Sequence, residues 1–286
     1  MPINYEKLLH WPIPPVEQRL TRRDTILYAL GVGLGADPCD PDQLQFVYEE
    51  NLRALPTMAV ILGYPGPWHA APELGITRSQ VVHGGQGFRI HRELPVEGEI
   101  IGVTRVTGVV DKGEGRGALV MTECTVRDKV KGEVICTLAS TTFCRADGGF
   151  GGPSGPVPAP HPIPLAPPQH VCDLPTLPQS ALLYRLCGDY NPLHADPAYA
   201  RRAGFDRPIL HGRLTFGVAG HAILKTLCGY DPGRLVAMEC RFSAPVYPGE
   251  TIRTEMWREA GVVSFRSTVP ARGVTVLDNG RAEIKP

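Results

Sequence analysis

A run of prolines divides this chain. Eight of the sixteen residues from Pro153 to Pro168 are proline, at 153, 156, 158, 160, 162, 164, 167 and 168, directly after Gly148-Gly-Phe-Gly-Gly152. Each proline fixes its own φ and lacks a backbone donor, so the stretch can sit neither inside a helix nor in the middle of a sheet. It has to run extended over a surface as a semi-rigid connector. The core must therefore be built from the flanking parts, residues 1–147 and 169–286, with 148–168 as linker. A chain of 286 residues is long enough for two domains of ordinary size.

The flanking parts look like repeats. Thr25-Ile-Leu-Tyr28-Ala-Leu30-Gly-Val-Gly33 runs parallel to Ser180-Ala-Leu-Leu-Tyr184-Arg-Leu186-Cys-Gly-Asp189. Tyr28 falls over Tyr184 and Leu30 over Leu186, and both segments read as a short helix ending at a glycine-bearing loop. Later, Leu94-Pro-Val-Glu-Gly98-Glu-Ile matches Ala244-Pro-Val-Tyr-Pro-Gly249-Glu-Thr-Ile, each a turn feeding a strand. Alternation and β-branched residues predict strands over 100–110, 117–126 and 134–143, and over 235–242, 251–257, 262–269 and 274–284. An apolar helix is expected from Leu214 to Cys228. Its apolar residues occupy no single stripe, which argues burial on most sides. The matching helix of the first part would begin near Pro56. Pattern alone gives an α+β chain with two similar halves.

Chemistry concentrates in Tyr184-Arg-Leu-Cys-Gly-Asp-Tyr-Asn-Pro-Leu-His194 and in Leu210-His-Gly-Arg-Leu-Thr-Phe-Gly217. The first holds a carboxylate (Asp189), an amide (Asn191) and an imidazole (His194) within six residues, stiffened by Pro192. A carboxylate and an imidazole on one loop can share a water, one accepting a proton as the other donates. The second reads as a loop ending at Gly212 before the apolar helix, and a glycine N–H at a helix start can bind a developing oxyanion. Asp-x-Asn-Pro is also ordinary turn chemistry.

Taken together, Gly188-Asp189-x-Asn191-Pro192-x-His194 followed by His211-Gly212 resembles the signature of the R-specific enoyl-CoA hydratases, the hydratase 2 or MaoC-like dehydratases. The resemblance runs over the whole C-terminal half. It implies a double hot-dog fold, two repeats each with an antiparallel sheet wrapped around a central helix. It also implies a homodimer, and reversible hydration of trans-2-enoyl-CoA to (R)-3-hydroxyacyl-CoA. Asp189 and His194 would flank the water, with the assignment of acid and base left open. Asn191 would orient the pair, and Gly212 N–H would hold the thioester oxygen as it gains enolate character. No metal or redox cofactor is required, coenzyme A being part of the substrate.

The halves are not equivalent. Gly33, Gly35 and Pro38 stand in the first half where Asp189, Asn191 and His194 stand in the second. Val82-His83-Gly84-Gly-Gln86 resembles the His-Gly-Glu-Gln of first halves in that family, with Gly85 in place of the acid. His83 reads as a structural residue at the seam. The first half is expected to accommodate the acyl chain, around Met58 and Gly63, because Gly63, Pro65 and Pro67 break its helix. His211 would hold the oxyanion loop against the substrate. Arg213 departs from the family's apolar residue and reads equally as a CoA phosphate contact or as solvated surface. Arg202, with Arg201 and Arg207, is a further phosphate candidate. His221 reads as a satisfied core histidine.

Two other functions remain on the same fold. An acyl-CoA thioesterase would need a carboxylate on or near the central helix, and 214–228 has no Asp or Glu. A non-catalytic acyl-CoA-binding protein would be expected to lose the acid–base pair. Composition narrows the partners. With 29 basic and 29 acidic residues the net charge is zero, so nothing points to nucleic acid or an anionic membrane. No leader is read in 1–15, and Leu214–Leu224 is too short to span a bilayer. Eight scattered cysteines without a C-x-x-C spacing suggest free thiols in a reducing compartment, and a cytoplasmic location is expected.

Overall fold

Five strands from each half join edge to edge into one antiparallel sheet. The computed structural model describes residues 2–286. Before the linker come helix α1 (Tyr5–Leu9), strand β1 (Val16–Leu20), α2 (Arg22–Gly31), α3 (Pro41–Val47), a 3-10 helix at Pro56–Ile61, β2 (Val81–Ile90), β3 (Gly98–Asp111), β4 (Ala118–Asp128) and β5 (Val134–Cys144). After it come β6 (His170–Pro175), α4 (Ser180–Tyr184), α5 (Pro197–Arg202), α6 (Gly212–Leu227), β7 (Leu235–Phe242), β8 (Thr251–Glu259), β9 (Val262–Val269) and β10 (Val274–Ile284). The sheet order is β1-β3-β4-β5-β2-β7-β10-β9-β8-β6. Read outward from the centre, each half repeats the same order, so the repeats seen in the sequence are repeats of topology. The seam is β2 on β7, from Gly85 opposite Arg241 to Arg89 opposite Ala237.

Helix α6 lies inside this sheet. It is apolar on all sides, and of its residues only Gly212, Arg213, Lys225 and Thr226 escape full burial. That is the pattern of a helix with no solvent face. Gly217 and Gly220 let the first half come close: a Cβ on Gly217 would meet Val32 Cγ1 at 2.6 Å, and one on Gly220 would strike Thr57. The two aligned tyrosines also meet, with Tyr28 and Tyr184 ring centres 5.9 Å apart.

The first half differs from expectation in its central helix. The segment starts at Pro56 as expected but is a six-residue 3-10 helix, all of it buried. Gly63, at φ +61°, ends it by packing so tightly on β3 that a Cβ would lie 2.6 Å from Gly102 Cα. Only the second half therefore wraps a full helix. The linker crosses as an extended segment held at several points. The Asp111 carboxylate accepts from the N–H groups of Gly149 (2.7 Å) and Gly151 (2.8 Å), and Trp257 Nε1 donates to Ala166 O (2.8 Å).

Candidate active site

Two loops bring the chemistry together at the N-terminal end of α6. Gly188, at φ +109°, ends the helical turn after α4 and releases the chain into Asp189. Asn191 Oδ1 accepts from Leu193 N–H at 3.1 Å, capping the 3-10 turn Pro192–His194, while Asn191 N–H donates to Asp189 Oδ1 at 3.3 Å. The exposed Asn191 side chain is thus spent on the turn and orients its neighbours through the backbone. His194 is buried, and its Nδ1 donates to Ile209 O at 2.8 Å. That bond leaves Nε2 as the basic nitrogen of the neutral ring. Burial lowers the His194 pKa, against smaller upward pulls from the Ile209 hydrogen bond and the Asp189 charge, so the ring is neutral at neutral pH.

His211 links the two loops: its Nε2 donates to Asp189 O at 3.1 Å. Its ring stacks on His194 with centroids 3.7 Å apart, and burial together with that neighbour pushes its pKa down to about 3. Nδ1 of His211 is buried without a protein partner. Asp189, His194 and His211 each bring a ligand-type atom within 4.8 Å of the others, the one such trio among the described residues. Two of the four imidazole nitrogens already donate to carbonyls and the rings lie face to face. The donor set is therefore better arranged to hold a water than to converge on a cation.

Gly212 is the first residue of α6, where backbone N–H groups have no intrahelical acceptor. A Cβ there would press on Phe242 Cε1 at 3.2 Å, so the glycine lets the helix end stand close to β7. His83 packs on the same Phe242 ring at 4.5 Å, which puts it at the seam as read from the sequence. His221 is the satisfied core histidine expected, bonded to Val32 O and Tyr230 Oη.

The remaining assignments change. Met58 is fully buried in the shared core, and the space before Gly63 is filled by the β3 backbone, so neither offers an open face to a ligand. Arg202 is exposed on α5 over the Tyr199 ring. Arg213 is not solvated surface: its Nε donates to Gln86 Oε1 at 3.3 Å and its guanidinium lies 4.1 Å from the Tyr64 ring centre. Gln86 and Tyr64 were missed as site residues. The only sequence signals were the His-Gly-Gly-Gln segment on β2 and the helix break before Tyr64.

Comparisons with known proteins match both halves of the chain. A MaoC like domain model matches residues 161–279, and an MFE-2 hydratase 2 N-terminal domain model matches 19–146. A Dictyostelium discoideum protein named probable enoyl-CoA hydratase 2 is 38% identical over 100% of this chain and 98% of its own. The peroxisomal enoyl-CoA hydratase 2 of Arabidopsis thaliana is 39% identical, covering 96% and 93%. A crystal structure of a MaoC-like dehydratase from Phytophthora capsici superposes with a TM-score of 0.86 at 35% identity, covering 99% of both chains. Fold and site together define a double hot-dog hydro-lyase. The chain belongs to the MaoC-like dehydratase family, in the hydratase 2 group that carries both matched domains.

Proposed function

We propose that the protein hydrates trans-2-enoyl-CoA to (R)-3-hydroxyacyl-CoA and runs the reverse dehydration at the same site. The observation that carries this is a neutral, backbone-locked imidazole with its basic Nε2 free beside a carboxylate, next to the unpaired first amide of α6. A water between Asp189 and His194 donates one hydrogen to the carboxylate and the other to Nε2. As its oxygen bonds to C3, His194 takes that second proton, and the double-bond electrons move onto the thioester oxygen. Gly212 N–H holds that oxygen, and a preorganised donor at such a point is worth several kcal/mol. The imidazolium then gives its proton to C2, completing the addition. Asp189 holds the water and stabilises the imidazolium throughout. His211 and Asn191 position the pair, and no metal or redox cofactor takes part.

Coenzyme A lies across the second half, where Arg201, Arg202 and Arg207 are exposed. No helix among the described residues is long and apolar enough to cross a membrane. The eight free cysteines support a reducing compartment, and the cytoplasm is the location proposed. A homodimer is the assembly proposed. Light scattering at micromolar concentration should give twice 31.0 kDa, and a single-chain mass counts against it.

The test is crotonyl-CoA, followed at the enoyl-thioester absorbance band beside a free-thiol assay. Loss of absorbance without thiol release is the expected result. Thiol release would mean hydrolysis, although α6 offers no carboxylate for a thioesterase, and no change in either would mean binding alone.

A further inference from the structure

Arg213 is the one charged residue on the first turn of α6, and it is only partly exposed. It joins no ion pair among the described residues, whereas ten of the other arginines do. It is nevertheless held firmly. Gln86 is buried, and both its amide hydrogens go to backbone carbonyls, Gly87 O at 3.2 Å and Ala139 O at 3.0 Å. That leaves Oε1 pinned as the acceptor for Arg213 Nε. The Tyr64 ring supports the other face of the guanidinium at 4.1 Å. One of five N–H donors is thereby used, and the terminal nitrogens keep theirs.

A partly buried cation that no carboxylate pairs with directly is stabilised when something anionic arrives to meet it. Arg213 directly follows Gly212 on the first turn of α6, so its side chain starts beside the amide assigned to the thioester oxygen. Gln86 and Tyr64 belong to the first half, so the guanidinium is held on the first-half side of the α6 N-terminus. The exposed arginines available to CoA phosphates stand on the second half instead. An apolar tail passing an unpaired guanidinium would strip its water and return nothing, whereas a carboxylate would match its planar fork.

Resting on the hydratase reading, we infer that Arg213, aimed by Gln86 and Tyr64, is a carboxylate-binding residue that selects enoyl-CoA substrates whose acyl group ends in an acid. The preferred substrate is then a short enoyl thioester with a terminal carboxylate. Its product is a 3-hydroxy acid thioester carrying the same carboxylate.

The experiment compares four-, five- and six-carbon trans-2-enoyl-CoAs ending in a carboxylate with methyl-ended partners of equal length. At the length that reaches Arg213, the acid should be favoured in kcat/KM by about tenfold to a hundredfold, the range of a charge-assisted hydrogen-bonded pair. Arg213→Met should collapse that ratio towards one or invert it, and Arg213→Lys should retain part of it. Gln86→Leu should weaken the ratio through KM rather than kcat, as befits a positioning residue. The inference is overturned if no acid is preferred at any length, or if Arg213→Met lowers acid and methyl substrates alike. Calorimetric titration with the saturated pair adipoyl-CoA and hexanoyl-CoA separates the anion subsite from the hydratase reading. Tighter, Arg213-dependent binding of adipoyl-CoA without turnover of any enoyl-CoA would support the anion subsite and overturn the hydratase reading. Turnover of crotonyl-CoA with equal binding of the saturated pair would do the opposite.

Discussion

At the scale of single residues, the site depends on the protonation state of His194. Its Nδ1 proton is committed to Ile209 O, so only Nε2 can act as base. Asp189→Asn and His194→Ala should each lower turnover by about two to four orders of magnitude, with melting temperature little changed. Near-normal turnover in either variant would remove that residue from the mechanism. The sign of the pH dependence follows from burial. The His194 pKa is lowered, so the active neutral form persists below the ordinary histidine range and is lost only as pH falls further. The acidic limb of kcat/KM should therefore lie below about pH 6.5, the unperturbed value; a limb above it would point to another group. Gly212→Ala tests the oxyanion donor. Its Cβ meets Phe242 at 3.2 Å, so ring or helix end must give by a few tenths of an ångström. The N–H should tilt rather than vanish, and kcat should drop by about tenfold, below the hundredfold or more of a lost donor. A change confined to KM would indicate uniform binding instead.

At the scale of elements, the contact between α6 and the first half decides the packing. Gly217→Ala sets two effects against each other. Alanine inside a helix gains about 1 kcal/mol in propensity. Overpacking against Val32 Cγ1 at 2.6 Å and Tyr28 Oη at 2.8 Å costs about 1–3 kcal/mol. The overpacking should win, and chemical denaturation should show a net loss; a stabilised variant would mean the halves separate easily here. The same contacts explain what could be read from the sequence. Strands β7, β9 and β10 coincide with the expected runs because alternation marks a half-buried strand locally. Strands β1, β2 and β6 escaped for identifiable reasons. Val16-Glu-Gln-Arg-Leu20 and His170-Val-Cys-Asp-Leu-Pro175 are edge strands, polar or ending in proline. β2 carries Gly84, Gly85 and Gly87 because it is crowded by β5 and β7 at the seam. Asp189, His194 and Gly212 were legible because each lies in a short segment whose turn chemistry is written locally. The Gln86–Arg213 contact spans 127 positions and exists only because β2 pairs with β7, which no local pattern records.

At the scale of the whole molecule, the halves share too much to fold separately. Helix α6 belongs to the second half but packs against the 3-10 helix of the first and against Val32, beyond the end of α2. The main apolar cluster contains Met58 and Leu62 together with Leu214, Phe216 and Ile223, so the main core is shared, while a smaller cluster around Leu8, Leu74, Val109 and Val120 lies within the first half alone. The seam adds β-ladder pairing and a bidentate contact from Arg89 to Glu283 at 2.8 and 3.0 Å, which at the surface contributes at most about 1 kcal/mol. The burial of α6 contributes more, since each fully buried leucine or isoleucine is worth roughly 1.5–3 kcal/mol. Unfolding should therefore be a single cooperative event despite the proline linker. Tryptophan placement allows a direct check, because Trp11 and Trp68 lie in the first half and Trp257 in the second. A Trp257→Phe variant reports on the first half, and a Trp11→Phe, Trp68→Phe double variant reports on the second. Each is compared with far-ultraviolet circular dichroism of the same sample, so that a shift caused by the substitution itself is seen by both probes. Within each variant, fluorescence and dichroism should give coincident urea midpoints. A fluorescence midpoint that leaves the dichroism curve, in opposite directions for the two variants, would show that the linker joins two independently stable domains.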